Sequence, residues 1–245
     1  MEKRNKYRYE LHCHTSEGSR CAVSTAEEIV GYYHRMGYSG ICLTDHFSGN
    51  GTAPDDMPWD ERVGLFYSIY QKAQDMGNKL GLSVFFGLEY SIAPDINSMS
   101  RVTGNDFLLL NINKDWLISS RDAFIGKTSK IFEAIREAGG FIVHAHPFCR
   151  ALYIECIRLY PGSVDAIEVY NASDTVFSNN NSQKYARSFN IPETAGSDCH
   201  NINQMVLTGV ETYEPCHTSL ELITAIREHR TRIFRLNLNR VTVKR

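Results

Sequence analysis

The sequence lacks the marks of a membrane protein, a polyanion binder or a disulfide scaffold. No apolar run reaches the roughly 18 residues of a spanning helix. The charged opening, MEKRNKYRYE, leads into no apolar leader segment, so a cytoplasmic protein with no membrane partner is expected. Lysine and arginine number 26 against 28 acidic residues, a formal net charge of −2. That balance provides no footprint for long nucleic acids. The seven cysteines are odd in number and never spaced as CxxC, which argues for free thiols rather than bridges or a cysteine-type zinc site. No histidine occurs from 47 to 143. GKTS at 126–129 has Arg121 where a phosphate loop needs its first glycine, and no apolar strand ends just before it. The sequons NAS and NNS are expected to be unused in a reducing compartment.

The chain nonetheless has 245 residues, 42% of them hydrophobic, enough for a large buried core in one domain over 1–245. Short apolar runs alternate with helical stretches throughout. Strands are expected at 7–13, 40–44, 82–89, 106–112, before HAHP at 144–147 and at 165–171, and the segment IPETAGSDCH at 191–200 continues the rhythm. Helices are expected over 24–38, with Thr25 and Glu28 in capping-box spacing, and over 59–80, 122–138, 152–160, 178–188 and 219–229. The rhythm predicts an α/β domain with parallel strands, as a barrel or a doubly wound sheet.

Polar residues fall at the ends of these apolar runs. His12 and His14 flank Cys13; Asp45 and His46 follow GICLT; Glu89 closes SVFFGLE; Asp106 opens DFLLLNI; His144 and His146 follow GGFIV; Asp198 and His200 flank Cys199. In a strand, alternation puts His12 and His14 on one face and Cys13 on the other. Strand ends of a parallel barrel converge on one rim, where sites are built. Imidazole with carboxylate, and no cysteine in register, suits zinc, manganese or iron. The excess of candidates over one tetrahedral ion predicts two or three divalent ions. Clustered ions point to hydrolysis of a phosphate ester by a metal-bound hydroxide, with no protein nucleophile needed.

In order along the chain, HCH at 12–14, TDH at 44–46, HAHP at 144–147 and SDCH at 197–200, with GLE at 87–89 and IEVYN at 167–171, resemble the PHP (polymerase and histidinol phosphatase) superfamily of metal-dependent phosphoesterases. The resemblance implies a distorted (βα)7 barrel with a trinuclear centre at the C-terminal ends of the strands. His12, His14, Glu89 and Asp198 would hold one ion, Glu89 would bridge to a second with His146, and His46 and His200 would hold a third. Two departures stand out. Arg20 occupies a place where many members have a ligand, so Glu17 is a substitute candidate. The missing histidine between 47 and 143 leaves Asp106 or His144 to fill its role. Asp45 is expected to orient a histidine rather than ligate. Arg20 and Arg150 are candidate phosphate clamps, or ordinary surface charges. Glu168 and Asn171 are expected to satisfy barrel polar groups, and His34, His217 and His229 to lie on the surface. The expected substrate is a small phosphomonoester or a nucleotide or oligonucleotide phosphate. The alternatives are a degenerate binding protein without turnover and an amidohydrolase-type metal hydrolase.

Overall fold

The computed structural model describes residues 6–92, 104–124, 128–152, 154 and 156–238. The first five residues of MEKRNKYRYE, and Gly126 and Lys127 of GKTS, lie outside the described residues. Among the described residues nine strands form one sheet: β1 (Tyr7–Cys13), β2 (Gly40–Leu43), β3 (Ser83–Ser91), β4 (Asp106–Leu110), β5 (Phe141–His144), β6 (Ala166–Asn171), β7 (Glu193–Gly196), β8 (Val206–Thr212) and β9 (Arg232–Asn237). Their spatial order is β7-β6-β5-β4-β3-β2-β1-β8-β9. Helices α1 (Ala26–Arg35), α2 (Trp59–Leu80), α3 (Lys114–Ser119), α4 (Arg121–Phe124), α5 (Thr128–Glu137), α6 (Val176–Ser188) and α7 (Ser219–Arg227) fill the intervals.

The sheet curls until its β7 end meets β1. Cys199, just past β7, bridges Cys13 in parallel, and the His14 N–H donates to the Cys199 carbonyl at 2.9 Å. The result is a nearly closed, mixed α/β barrel. Strands β1, β2 and β3 run parallel, as do β5, β6 and β7. The all-parallel expectation fails at β4, which is antiparallel to β3 and β5, and at β8, which is antiparallel to β1 and β9. Ser91 at the end of β3 pairs with Asp106 at the start of β4, so the chain reverses beside its own strand instead of crossing over. The reversal brings the start of β4 to the rim where β3 ends.

Local sequence accounts for the elements that support this rim. Thr25 caps α1 with Glu28 closing the capping box, and Thr218 with Glu221 does the same for α7. α7 closes the barrel end away from the rim, where Leu222, Ile223 and Ile226 cluster with Tyr9, Phe141, Ala166 and Leu110. Arg62 of α2, almost wholly buried, donates to the carbonyls of Phe47 and Pro54 and so pins the loop after β2. One expectation fails elsewhere. The described residues of 152–160 form no helix; Tyr160 instead packs against Phe107 and Phe132, and its N–H donates to the Tyr185 hydroxyl. Strand β9 has no counterpart in the sequence reading, because Arg232 and Arg235 interrupt its apolar pattern.

One irregularity in β1 sets the site. Its register against β2 shifts between Glu10 and Cys13. Tyr9 and Leu11 pack in the barrel interior, whereas Cys13 packs with Ile29 and Tyr33 on the α1 side. Cys13 therefore faces away from the two histidines, and the bulge lets His12 follow Leu11 on the inner face. The N–H groups of Leu11 and His12, displaced from the ladder, donate to the Glu10 carboxylate at 3.0 and 2.9 Å.

Candidate metal centre

Five strand ends and the reversed start of β4 deliver polar side chains to one place. His12 lies within β1 and His14 just past it, His46 follows β2, Glu89 lies in β3, Asp106 opens β4, His146 follows β5, and Asp198 and His200 follow β7. Glu89 stands at the centre. Its Oε2 is 2.8 Å from His46 Nδ1 and 3.4 Å from both His12 Nε2 and His14 Nε2, while His146 Nε2 is 3.1 Å from its Oε1. Asp198 Oδ1 lies 3.2 Å from His14 Nε2, 3.5 Å from His12 Nε2 and 3.4 Å from His200 Nδ1. Four overlapping sets could each hold an ion: His14, His46 and His200; His12, His146 and Glu168; His12, His14 and Asp198; and Glu89, Asp106 and His146. Of these, His46, Glu89, Asp106, His146, Asp198 and His200 line a cavity of about 240 Å³ that also takes in Cys21, Asn50, Ser91, Cys149, Ser173 and Asp174.

The fit to a metal can be tested on the donor atoms. Buried His12 Nε2, His14 Nε2, His46 Nδ1 and Glu89 Oε2 crowd together, yet none makes a hydrogen bond. Three nitrogens converge on the one carboxylate oxygen, His46 Nδ1 at 2.8 Å and the two Nε2 atoms at 3.4 Å, which is the arrangement of ligand atoms around a shared partner. A divalent cation satisfies nitrogen lone pairs and a carboxylate at once.

The residues behind these donors fix their direction. His12 Nδ1 is 3.0 Å from Glu168 Oε1, while Glu168 Oε2 accepts from the His146 N–H at 2.9 Å and from Asn171 Nδ2 at 3.0 Å. Asn171 Nδ2 also reaches Asp198 Oδ2 at 3.2 Å. Gly196 leaves room for this set: a Cβ there would lie 2.3 Å from the His12 Cβ and 2.5 Å from Glu168 Oε1. Asp45 touches no candidate donor directly. It accepts from the Thr15 N–H and hydroxyl and from the Ser19 hydroxyl, and Ser19 Oγ sits 3.1 Å from His14 Nδ1. Asp45 thus holds the hydroxyl that holds His14. His146 and Asp198 have left-handed backbones, φ 28° and 51°, uncommon for residues other than glycine and frequent at functional sites.

Electrostatics polarise the cluster. Burial pushes the Glu89 carboxyl up, but charge on His46 and His12 outweighs it and holds the group well below the usual carboxylate range. Asp198 is held low in the same way by His12 and His14. Burial lowers the His12 imidazole, yet Asp198, Glu168 and Glu89 raise it well above normal. Burial is likewise overcome at His146, lifted to about 10 chiefly by Glu89. His14 goes the other way, since burial and its neighbours His200 and His46 all disfavour its charge. Burial raises Asp45 to about 6 and Asp106 above its ordinary value.

Four residues singled out in the sequence are not brought to the cluster. Glu17 accepts from the Ala26 N–H at 3.0 Å, at the start of α1. His144 is buried and stacks on Phe107 at 4.9 Å, with Tyr160 and Tyr185 beside it; the chain turns between it and His146, so the pair does not share a face. Burial holds its pKa down at about 3. Arg20 is exposed, and Arg150 lies over the Phe177 ring at 4.3 Å; neither lines the cavity. Conversely, Glu10, Ser19 and Cys21 received no role from the sequence. Glu10 and Ser19 lie close to the HCH motif, and that proximity was the available signal. Cys21 Sγ lies 3.0 Å from His200 Nε2; burial raises its thiol, but His200 and His46 bring it down to about 7.

A family model described as PHP-associated matches residues 177–231, a stretch that includes Asp198 and His200. No curated protein sequence matches the chain. Among solved structures, a two-domain protein of Bacteroides vulgatus containing a predicted PHP-like metal-dependent phosphoesterase superposes with a TM-score of 0.69 at 17% identity, covering 94% of this chain and 65% of that one. This chain therefore spans less than two thirds of that relative. PsfC of Pseudomonas syringae gives 0.61 at 18% identity over 95% and 92%. A candidate metal-dependent phosphoesterase of Bifidobacterium adolescentis gives 0.54 at 14% identity over 80% and 88%. The fold is PHP-like. No described helix is long and apolar enough to cross a membrane.

Proposed function

We propose that this chain is a metal-dependent phosphoesterase hydrolysing a small phosphomonoester or the phosphate ester of a nucleotide or short oligonucleotide. The convergence of four ligand atoms without a hydrogen bond, His12 Nε2, His14 Nε2, His46 Nδ1 and Glu89 Oε2, carries this reading. His12 and Asp198 would hold one ion, Glu89, His146 and Asp106 a second, and His14, His46 and His200 a third. Zinc, manganese and iron suit these donors. Such ions lower the pKa of water and stabilise charge on attacking and leaving oxygens. The protein's own work is orientation: Glu168 fixes the His12 ring, Asn171 holds Glu168 and Asp198 together, and Asp45 with Ser19 positions His14. Glu89 presents one oxygen to His46 and the other to His146, the placement of a bridging carboxylate. The 240 Å³ cavity admits a phosphoryl group and a small body rather than a length of duplex.

Metal analysis of the purified protein, with a screen of phosphate esters repeated on His12→Ala and Asp198→Asn, tests the proposal. Hydrolysis by the metal-loaded protein that collapses in both variants is expected. Activity that survives both would refute the centre, and bound metal without turnover of any ester would favour a ligand-binding role.

A further inference from the structure

We infer that Cys21 is a thiolate ligand at the outer end of the cluster, completing with His14, His46 and His200 a nitrogen-and-sulfur site for a zinc-class cation. The inference rests on the metal-centre reading above and assigns a fourth donor to its outermost set.

The His14 ring stacks against His46 at 4.4 Å and His200 at 4.3 Å, and the three offer donor atoms within 4.8 Å of one another. His14 is fully buried, with Nδ1 facing Ser19 Oγ, so Nε2 faces the set and has no hydrogen-bond partner. His200 Nδ1 lies 3.0 Å from the Asp198 carbonyl oxygen. With its proton there, the lone pair of Nε2 points outward, and Cys21 Sγ stands 3.0 Å from it. Glu89 and Asp198 stand beside this set but are assigned to the inner ions, so three neutral imidazoles leave a tetrahedral cation one donor short.

The segment between His14 and α1 has two candidates for that donor, Glu17 and Cys21. Glu17 is committed to the start of α1. Cys21 lines the cavity, and its approach is built into the backbone. Ser19 bridges Gly51, and the Arg20 N–H donates to the Asn50 carbonyl at 2.8 Å. Gly51 permits the pairing because a Cβ there would meet the His46 carbonyl oxygen at 2.2 Å. On binding, the thiol S–H bond breaks, sulfur bonds to the cation and the proton passes to solvent. A soft thiolate with imidazoles selects zinc over magnesium or manganese at this position, while the oxygen-richer inner sets remain open to harder ions.

Cobalt(II) reconstitution of the full chain tests the assignment by absorption rather than activity. The wild type is expected to show a sulfur-to-cobalt charge-transfer band. Cys21→Ala and Cys21→Ser should lose the band and one equivalent of cobalt, Cys21→His should keep the equivalent without the band, and Cys149→Ala should keep both. Zinc should also shield Cys21 from iodoacetamide, as read by mass spectrometry. Cobalt bound without the band, a band that survives Cys21→Ala, or alkylation unaffected by zinc would overturn the thiolate ligand alone; the last would fit a free thiol paired with His200. Failure to bind cobalt at all would overturn both this assignment and the metal centre.

Discussion

Replacing Glu10 should separate the energetics of the β1 bulge from those of the metal ligands. Its fully buried carboxylate accepts from the N–H groups of Leu11, His12 and Ser197 at one oxygen, and from the hydroxyls of Tyr33 and Ser197 at the other. Glu10→Ala strands three buried N–H donors at about 1–3 kcal/mol each; the hydroxyls can turn to other partners. The expected loss is on the order of 3–9 kcal/mol, a large share of the ~5–15 kcal/mol that holds a typical domain. Glu10→Gln keeps the oxygen that serves the three N–H groups and should cost far less. It also mimics the protonated acid, which gives a pH signature. Burial lifts Glu10 from 4.5 to about 7, so between those values the folded protein holds a proton the unfolded chain has lost. Wild-type stability from this group is present at low pH and falls as pH rises through that window, by about 1.4 kcal/mol per unit. The glutamine variant lacks that slope and should gain on the wild type from pH 5 to pH 8. Urea unfolding of chelated protein at both pH values measures this. Glu10→Ala within about 1 kcal/mol of the wild type, or a Gln variant with the same pH slope, would refute the account.

Gly196→Ala should destabilise by about 1–3 kcal/mol through overpacking and weaken metal binding by displacing His12, whereas Gly64→Ala, in open space within α2, should stabilise by roughly 0.8–1 kcal/mol; thermal melts and metal titrations of both compare them. Glu168→Gln removes the carboxylate behind His12 and should weaken metal affinity by about 10–100-fold, read by competition with a chromogenic chelator. His144 contributes the opposite pH sign to Glu10. Its depressed pKa of about 3 means that the unfolded chain takes the proton first, so stability is present above about pH 6.5 and lost on descent towards pH 3. His144→Phe should flatten that acid limb in denaturant titrations. Chelation should lower the melting temperature, because metal at 100 times its Kd contributes about 2.7 kcal/mol; an unchanged melt would count against a folded-state metal site.

Much of the rim was legible because each strand is short and apolar and stops at a polar letter. His12, Asp45, Glu89 and Asp198 declare their ends that way, and Thr25 with Glu28 marks the start of α1. The direction of β4 was not legible, because an apolar run reads the same in either direction and only the Ser91–Asp106 pairing reverses it. His144 and His146 look equivalent in sequence, yet the left-handed residue between strand and loop sends one ring into an aromatic cluster and the other to Glu89. Cys21 was hidden because loop paths have no period. Its position depends on Gly51 and Asn50, thirty residues downstream, and no local pattern reports that contact.

The backbone at 198 also decides which acid can serve there. Aspartate tolerates a left-handed conformation better than most residues because its short side chain bonds locally, and Asp198 adopts φ 51°. Glu89 sits in the regular extended ladder of β3, where conformation imposes no such choice and length is what matters, since its two oxygens must span from His46 to His146. The two carboxylates are therefore not interchangeable. Asp198→Glu would add backbone strain of about 1 kcal/mol, while Glu89→Asp would withdraw the charge by one methylene, ~1.5 Å. Two substitutions that look equally conservative on paper would fail for unrelated reasons, one in the main chain and one in reach.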